Sequence, residues 1–313
     1  MPPTNLRNRG VEKRSSTLCM LASVLVTCFA ISAPAQTTDL SKLMDEVMSD
    51  SNQVEYVRSA FKTTRLVNGH SSEQVAFGAM DMRVSHRFGT LNSGAYNLWG
   101  LDNATMRIAL EYGATPWLTV GVGRSTLQKT YDGFLKLRVL RQSKGARKMP
   151  LTLNYLSSWA VNGTKDNFPY FRSRFFFTHQ LLLSRKFSES FSFLVAPTFV
   201  HRNLVLNSFD DHDLFSIGAG GRLKITNRVS INAEYYYQIN KPIGTQDCLS
   251  IGVDIETGGH VFQLTLSNGM GMIEKAFIHE TTNTWSSGGI MAGFCISRNF
   301  TLIDARKSRF KNG

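Results

Sequence analysis

The sequence predicts an all-β chain: an antiparallel transmembrane β-barrel of about twelve strands, preceded by a short N-terminal helix. Three observations predict it. Successive runs alternate apolar and polar residues with period two, and charges recur mid-strand on the polar face while the apolar face is nearly free of them. The connections between runs alternate long and short. The N-terminus carries an export signal, yet no later stretch is long and apolar enough for a spanning helix, so a membrane location requires a closed barrel.

The chain opens on a basic segment with Arg7, Arg9, Lys13 and Arg14. An apolar core follows, LCMLASVLVTCFAIS (Leu18 to Ser32), the length of a secretory h-region and short for a spanning helix. Ala33-Pro34-Ala35 supplies the small residues of a cleavage site, so residues 1–35 read as a signal peptide and Gln36 as the mature N-terminus. A lipoprotein reading would use Cys28, but Thr27 stands where a smaller residue is expected. Residues 36–74 read as an N-terminal helix and a linker or plug. Leu40, Leu43, Met44, Val47 and Met48 form one helical stripe, whereas VEYVRSAFKTTRLVNGHSSEQ has no clean period. That bridge could run along the rim or enter the barrel.

Residues 75–302 read as the barrel, with strands near 75–89, 104–115, 117–128, 133–143, 150–162, 170–187, 191–202, 214–225, 228–239, 248–257, 260–268 and 288–302. In RVSINAEYYYQIN, Val229, Ile231, Ala233, Tyr235, Tyr237 and Ile239 take one face, and Ser230, Asn232, Glu234, Tyr236, Gln238 and Asn240 the other. Phe215, Ile217, Leu223 and Ile225 likewise oppose Ser216, Arg222 and Lys224. Leu249, Ile251, Val253 and Ile255 oppose Ser250, Asp254 and Glu256. Placing the apolar face against lipid explains the missing charges there, each of which would cost about 2–4 kcal/mol at the bilayer midplane. Aromatics near strand ends, including Trp117, Trp159, Phe187, Phe191, Tyr235 and Tyr237, suit interfacial girdles, although core packing would use them too.

Long connections such as TLNSGAYNLWGLDN, NLVLNSFDDHD and NKPIGTQD alternate with tight ones at Thr115–Pro116, SES, TNR and Gly258–Gly259. A last long excursion, GMGMIEKAFIHETTNTWSSGG, precedes the final strand. This pattern puts short turns and both termini on the periplasmic side and long loops outside. The final strand, GIMAGFCISRNF, ends on Phe300 as a signal for the outer-membrane assembly machinery would, and a basic tail fills residues 303–313.

The formal net charge is +12. The basic residues are scattered along strands and turns without a nucleic-acid motif, so no nucleic-acid partner is expected. Cys248 and Cys295, the cysteines left after cleavage, make neither a disulfide framework nor a zinc site. His86, His201 and His260 with Asp102, Asp132 and Asp254 would be the raw material of a hydrolase, but no G-x-S-x-G elbow appears. Asp210, Asp211 and Asp213 around His212 lack calcium-loop spacing. VGVGRS lacks the lysine of a phosphate loop. No catalytic, cofactor or metal residues are assigned, and no enzyme is expected.

The candidate site is the lumen. Arg83, Arg87, Arg107, Glu111, Lys136, Arg138, Arg172, Arg174, Arg222, Lys224, Glu234, Asp254 and Glu256 are expected to point inward. Such a lining either attracts anions, as charged rings do in pores, or pairs off and fills a small barrel.

Several phrases also carry a family resemblance: TTRLVNGHS (Thr63–Ser71), SHRFGTLNSGAYNLWGLDNATMRIALEYG (Ser85–Gly113), VGVGRSTLQKTYDGFLKLRVLRQ (Val120–Gln142), FVHRNL (Phe199–Leu204) and SIGVDIETGGHVFQLTLSNGMGMIEKAFI (Ser250–Ile278). Over nearly all of the mature chain the sequence resembles the Bacteroidetes β-barrel proteins grouped as DUF5777. The resemblance implies an outer-membrane barrel in a Bacteroidetes-type envelope and brings no activity or catalytic residue with it. Three jobs stay open. The first is a passive or gated conduit for small, anionic solutes. The second is a barrel that scaffolds a periplasmic carrier or redox partner at its mouth. The remote third is an outer-membrane hydrolase.

Overall fold

The computed structural model describes residues 53–164, 168–205 and 208–303. The signal segment, the stripe at Leu40–Met48 and the tail from residue 304 lie outside the described residues.

Among the described residues fourteen strands run in chain order: β1 (Val54–Tyr56), β2 (Ala79–Thr90), β3 (Thr105–Thr115), β4 (Leu118–Ser125), β5 (Tyr131–Leu140), β6 (Ser143–Gly145), β7 (Thr152–Val161), β8 (Phe175–Lys186), β9 (Phe191–Arg202), β10 (Asp213–Lys224), β11 (Val229–Gln238), β12 (Cys248–Thr257), β13 (His260–Ser267) and β14 (Met291–Thr301). Twelve of them close into an antiparallel barrel whose last strand, β14, pairs with its first, β2. The other two, β1 and β6, pair with each other at the short-turn end, and the sequence pattern did not anticipate them.

The alternation of β11 shows how the wall is built. Ser230, Asn232, Glu234, Tyr236 and Gln238 are buried, while Ile231 is 41%, Tyr235 41% and Tyr237 53% exposed. Ile251, Leu264 and Leu266 of β12 and β13, and Ile108, Leu110 and Leu135 of β3 and β5, continue the outward apolar surface. A protein with its apolar face outside and its polar face inside is arranged for lipid rather than water. No helix of the described residues is long and apolar enough to cross a membrane.

Tight turns collect at one end, as at Gly258–Gly259, and long connections at the other, except that the longer connection between β5 and β7, which carries β6, lies at the tight-turn end. Two strand starts differ most from the sequence reading, each for a local reason. The first barrel strand begins at Ala79 rather than 75, because Gly78 (φ +73°) turns the chain into the wall; its N–H bonds the Gly113 carbonyl at 2.9 Å. The strand expected from 170 begins at Phe175. Its neighbour β7 stops at Val161, opposite Phe175, so Phe171–Arg174 has no ladder partner and coils into a 3₁₀ turn.

The last long connection also departs from an external loop. It folds inward and carries the short helix Glu274–His279, every residue of which is buried.

Candidate functional site: the filled lumen

Among the described residues two segments occupy the bore. The first enters from the short-turn end. Its Phe61 and Leu66 pack with the wall residues Phe134, Leu156, Leu182 and Leu194 in one apolar cluster. Beyond Phe61 the chain makes a hairpin: Arg65 bridges His70, and the Leu66 N–H bonds the Gly69 carbonyl at 2.8 Å. Val67-Asn68 therefore forms the tip, and Gly69 stands in the stem opposite Leu66. Neither Asn68 nor Gly69 has the positive φ of an Asn-Gly turn, and no alternating strands flank TTRLVNGHS, so the sequence carries no standard hairpin signal here. Gly69 is required by close approach: a Cβ there would collide with the Tyr236 hydroxyl.

The inward charges hold this hairpin by its backbone. Glu234 accepts the N–H groups of Asn68 (2.7 Å), Gly69 (3.1 Å) and Val67 (3.3 Å). Arg222 donates to the carbonyls of Ser59 and Ala60, each at 3.0 Å. Lys136 donates to the carbonyls of Glu73, Ser71 (3.4 Å) and Thr64 (3.5 Å). Arg87 reaches the Asn68 side-chain oxygen at 2.6 Å. Gln263 donates to the Leu66 carbonyl at 3.2 Å and to Asp254 at 2.8 Å, and accepts from Arg83 at 2.8 Å. A segment without a sheet of its own must satisfy its peptide groups somewhere, and here the wall does it.

The second segment comes from the long-loop end and is held differently. Ile273 and Ala276 pack with Ala160 and Phe176; Phe277 and Ile278 pack with Tyr236 and Cys248. Lys275 lies 4.0 Å over the Phe176 ring and donates to Gln128 (2.9 Å) and Glu280 (2.8 Å). The sequence held a signal here as well. Met272, Ile273, Ala276, Phe277 and Ile278 give an apolar stripe at helical spacing, which a solvated loop has no use for.

The two segments meet at mid-bore. The Arg65 guanidinium donates to Glu274 at 2.5 Å, with both side chains buried, and its Nε lies 3.9 Å from Glu111. His70 Nε2 lies 3.4 Å from Glu274. Burial, followed by the charges of Arg65, Lys136, Arg107 and Arg83, holds the His70 imidazole well below its usual range, so it is neutral and the contact is no ion pair. Burial likewise pushes His279 down to about 3.

The remaining inward-directed residues divide by height. Arg107 is taken by Asp132 of the wall, with its Nε donating at 3.0 Å. Glu256 is exposed at the short-turn mouth, where it pairs with Lys62 of the plug. Lys224 is half-buried near the same mouth. Arg138 sits on that rim too and donates to the Pro116 carbonyl at 3.4 Å. Arg174 and Arg172 belong to the 3₁₀ turn at the other end rather than to a strand.

The histidines are not brought together. His86 stacks on Phe294 on the outer face (centroids 4.7 Å apart), His201 pairs with Asp213 at 2.6 Å at the long-loop rim, and His260 lies by the Gly258–Gly259 turn. Among the described residues no cluster of metal-ligating side chains forms.

Solved porins show a similar outline at low identity. The NanC porin aligns at 8% identity over 71% of this chain and 100% of its own, with a TM-score of 0.47. The KdgM porin in complex with disordered oligogalacturonate aligns at 5% over 72% and 99%, with a TM-score of 0.44. A mutant Rh. blastica porin aligns at 12% over 66% and 58%, with a TM-score of 0.30. No curated protein matches the sequence. The family model described as "Membrane bound beta barrel domain (DUF5777)" matches residues 61–300, from the plug to the end of the last strand. With its inverted wall, closed strand order and family match, the chain belongs to the DUF5777 family of membrane-bound β-barrel domains.

Proposed function

We propose that the protein is an outer-membrane barrel, exported by a signal cleaved after Ala35, that works as a gated conduit closed at rest. In this reading the short turns face the periplasm and the N-terminal hairpin is the gate. One observation carries it: the bore is stopped by two segments that meet at Arg65 and Glu274, not by a narrow wall. A passive open pore does not fit a lumen filled in this way. Withdrawing the hairpin would leave Arg83, Arg87, Lys136 and Arg222 without partners they now have on it, against Glu111, Glu234 and Glu274. The freed cations outnumber the freed acids, which supports small anions as the favoured solutes.

Single-channel recording in planar bilayers tests the reading. The intact chain is expected to be closed, and the Arg65→Ala, Glu274→Ala double variant to show discrete openings with a mild anion preference. An intact chain that is open at rest would overturn it. So would a double variant that inserts with the heat-modifiable gel mobility of a folded barrel yet stays silent. That second result would favour the alternative, a barrel that scaffolds a periplasmic partner. The pair β1–β6 at the short-turn mouth, in which β1 is exposed throughout, offers such a partner a strand edge.

A further inference from the structure

Outside the lumen, basic residues collect on one stretch of the short-turn rim. Between 138 and 148 the chain carries Arg138, Arg141, Lys144, Arg147 and Lys148 and no acidic residue. The structure folds this stretch around a cavity of about 270 Å³ lined by Tyr56, Trp117, Arg138, Val139, Arg141 and Arg147, among others. The cavity is built rather than incidental. The loop is pinned by the mutual backbone bonds of Ser143 and Met149 (3.1 and 3.2 Å), by the Ser143 hydroxyl on the Arg147 carbonyl (2.6 Å) and by the pairing of β6 with β1. A break in register between Arg138 and Leu140 opens the end of β5, so that inward Arg138 and outward Val139 line one space.

Among the described residues Arg138, Arg141 and Arg147 form no ion pair with an acid. Arg141 stacks 4.9 Å over the Tyr56 ring and touches the Val57 carbonyl at 3.4 Å. Arg138 has only the Pro116 carbonyl, and its Nε is buried without a hydrogen-bond partner among the described residues. The acid that faces Arg138 and Arg141 from the plug is Glu73, whose Oε1 accepts the Phe61 N–H at 3.2 Å and which forms no ion pair with them. Trp117, 51% exposed, and Val139, 54% exposed, form the lipid side of the cavity. Tryptophan at a strand end marks headgroup level, and an arginine fork matches a phosphate.

We propose that this rim cavity binds the phosphate of an anionic phospholipid in the leaflet at the short-turn end, with an acyl chain lying along Trp117 and Val139. The proposal rests on the barrel spanning a membrane and is independent of whether the bore conducts. Charge complementarity selects the occupant: five cations against Glu55, opposite Lys144, and Glu73 leave the rim net positive, which favours an anionic lipid over a zwitterionic one.

The test is native mass spectrometry of the full-length mature chain released from micelles doped with equal phosphatidylglycerol and phosphatidylcholine. The expected result is one retained phosphatidylglycerol, favoured over phosphatidylcholine by about tenfold, with the preference lost in Arg138→Gln, Arg141→Gln, Arg147→Gln. Arg141→Gln, Arg147→Gln alone spares the strand and is expected to lose most of it. Lys144→Gln, Lys148→Gln removes two charges that do not line the cavity and is expected to keep it. Equal retention of the two lipids, or the same loss in the lysine variant as in the arginine variants, would overturn a specific site. Full displacement by millimolar glycerol phosphate would overturn the lipid source in favour of a soluble phosphate. Retention of polyglutamate in place of lipid would overturn it in favour of an acidic protein.

Discussion

The two segments that stop the bore are held by opposite chemistry. The hairpin around Asn68 is seated mainly through its peptide groups on Glu234, Arg222, Lys136 and Gln263. The helical loop around Phe277 is seated by apolar side chains against Phe176, Tyr236 and Cys248. Water can replace a hydrogen bond, so each bond lost from the hairpin costs a net of only about 1 kcal/mol if water can follow it in. Water cannot replace the packing around Phe277, whose exposure costs about 25 cal/mol per Å². The hairpin does keep two apolar pins, Phe61 and Leu66, at its base and tip. The difference teaches that one stopper is fitted to move and the other to stay.

The comparison can be broken in order of expected effect. Phe277→Ala should cost about 3–5 kcal/mol, lowering the temperature at which the folded gel band is lost, with little gain in channel opening. If it opens the channel without destabilising the barrel, the assignment of roles is reversed. Glu234→Ala leaves three hairpin N–H groups without their acceptor and should loosen the hairpin by about 2–3 kcal/mol, raising the open fraction while the barrel melts almost unchanged. The smallest effect is that of pH. His70 is neutral when seated, whereas on a withdrawn hairpin it regains its ordinary value of 6.5. Withdrawal therefore takes up a proton, so the seated state is fully favoured above that pH and loses ground below it. Openings should become more frequent between pH 7.5 and 5, and His70→Gln should flatten that response.

The wall was legible in the sequence because the bilayer keeps its outward face largely apolar, even where Phe176, Leu182 and Leu194 make the inward face apolar too and period two is lost. Ser230, Asn232 and Glu234 face inward simply because Ile231, Ala233 and Tyr235 cannot. What filled the bore was not legible. An inward glutamate looks the same in sequence whether it meets water, a solute or a peptide N–H. Glu234 and Arg222 read as lumen charges, and nothing in the strand pattern tied them to residues 59–69, more than 150 positions away. The inward fold of the last loop was missed for a related reason. Its apolar spacing was present, but a rule that sends long connections outward leaves no place for it.

The pairing of β14 with β2 has a consequence for how the molecule is made. That seam joins the first barrel strand to the last, from Thr90 opposite Met291 to Ala79 opposite Thr301. The hairpin is synthesised before any wall strand, and the apolar loop sits between the final two. The sheet must therefore curl around a guest already tethered to its leading edge, and the second stopper arrives as the seam is about to shut. Arg65 and Glu274, 209 positions apart, can meet only at that final stage, so their contact reports a completed barrel. Contacts this distant in sequence form slowly, and the molecule is sealed by the same late event that encloses it.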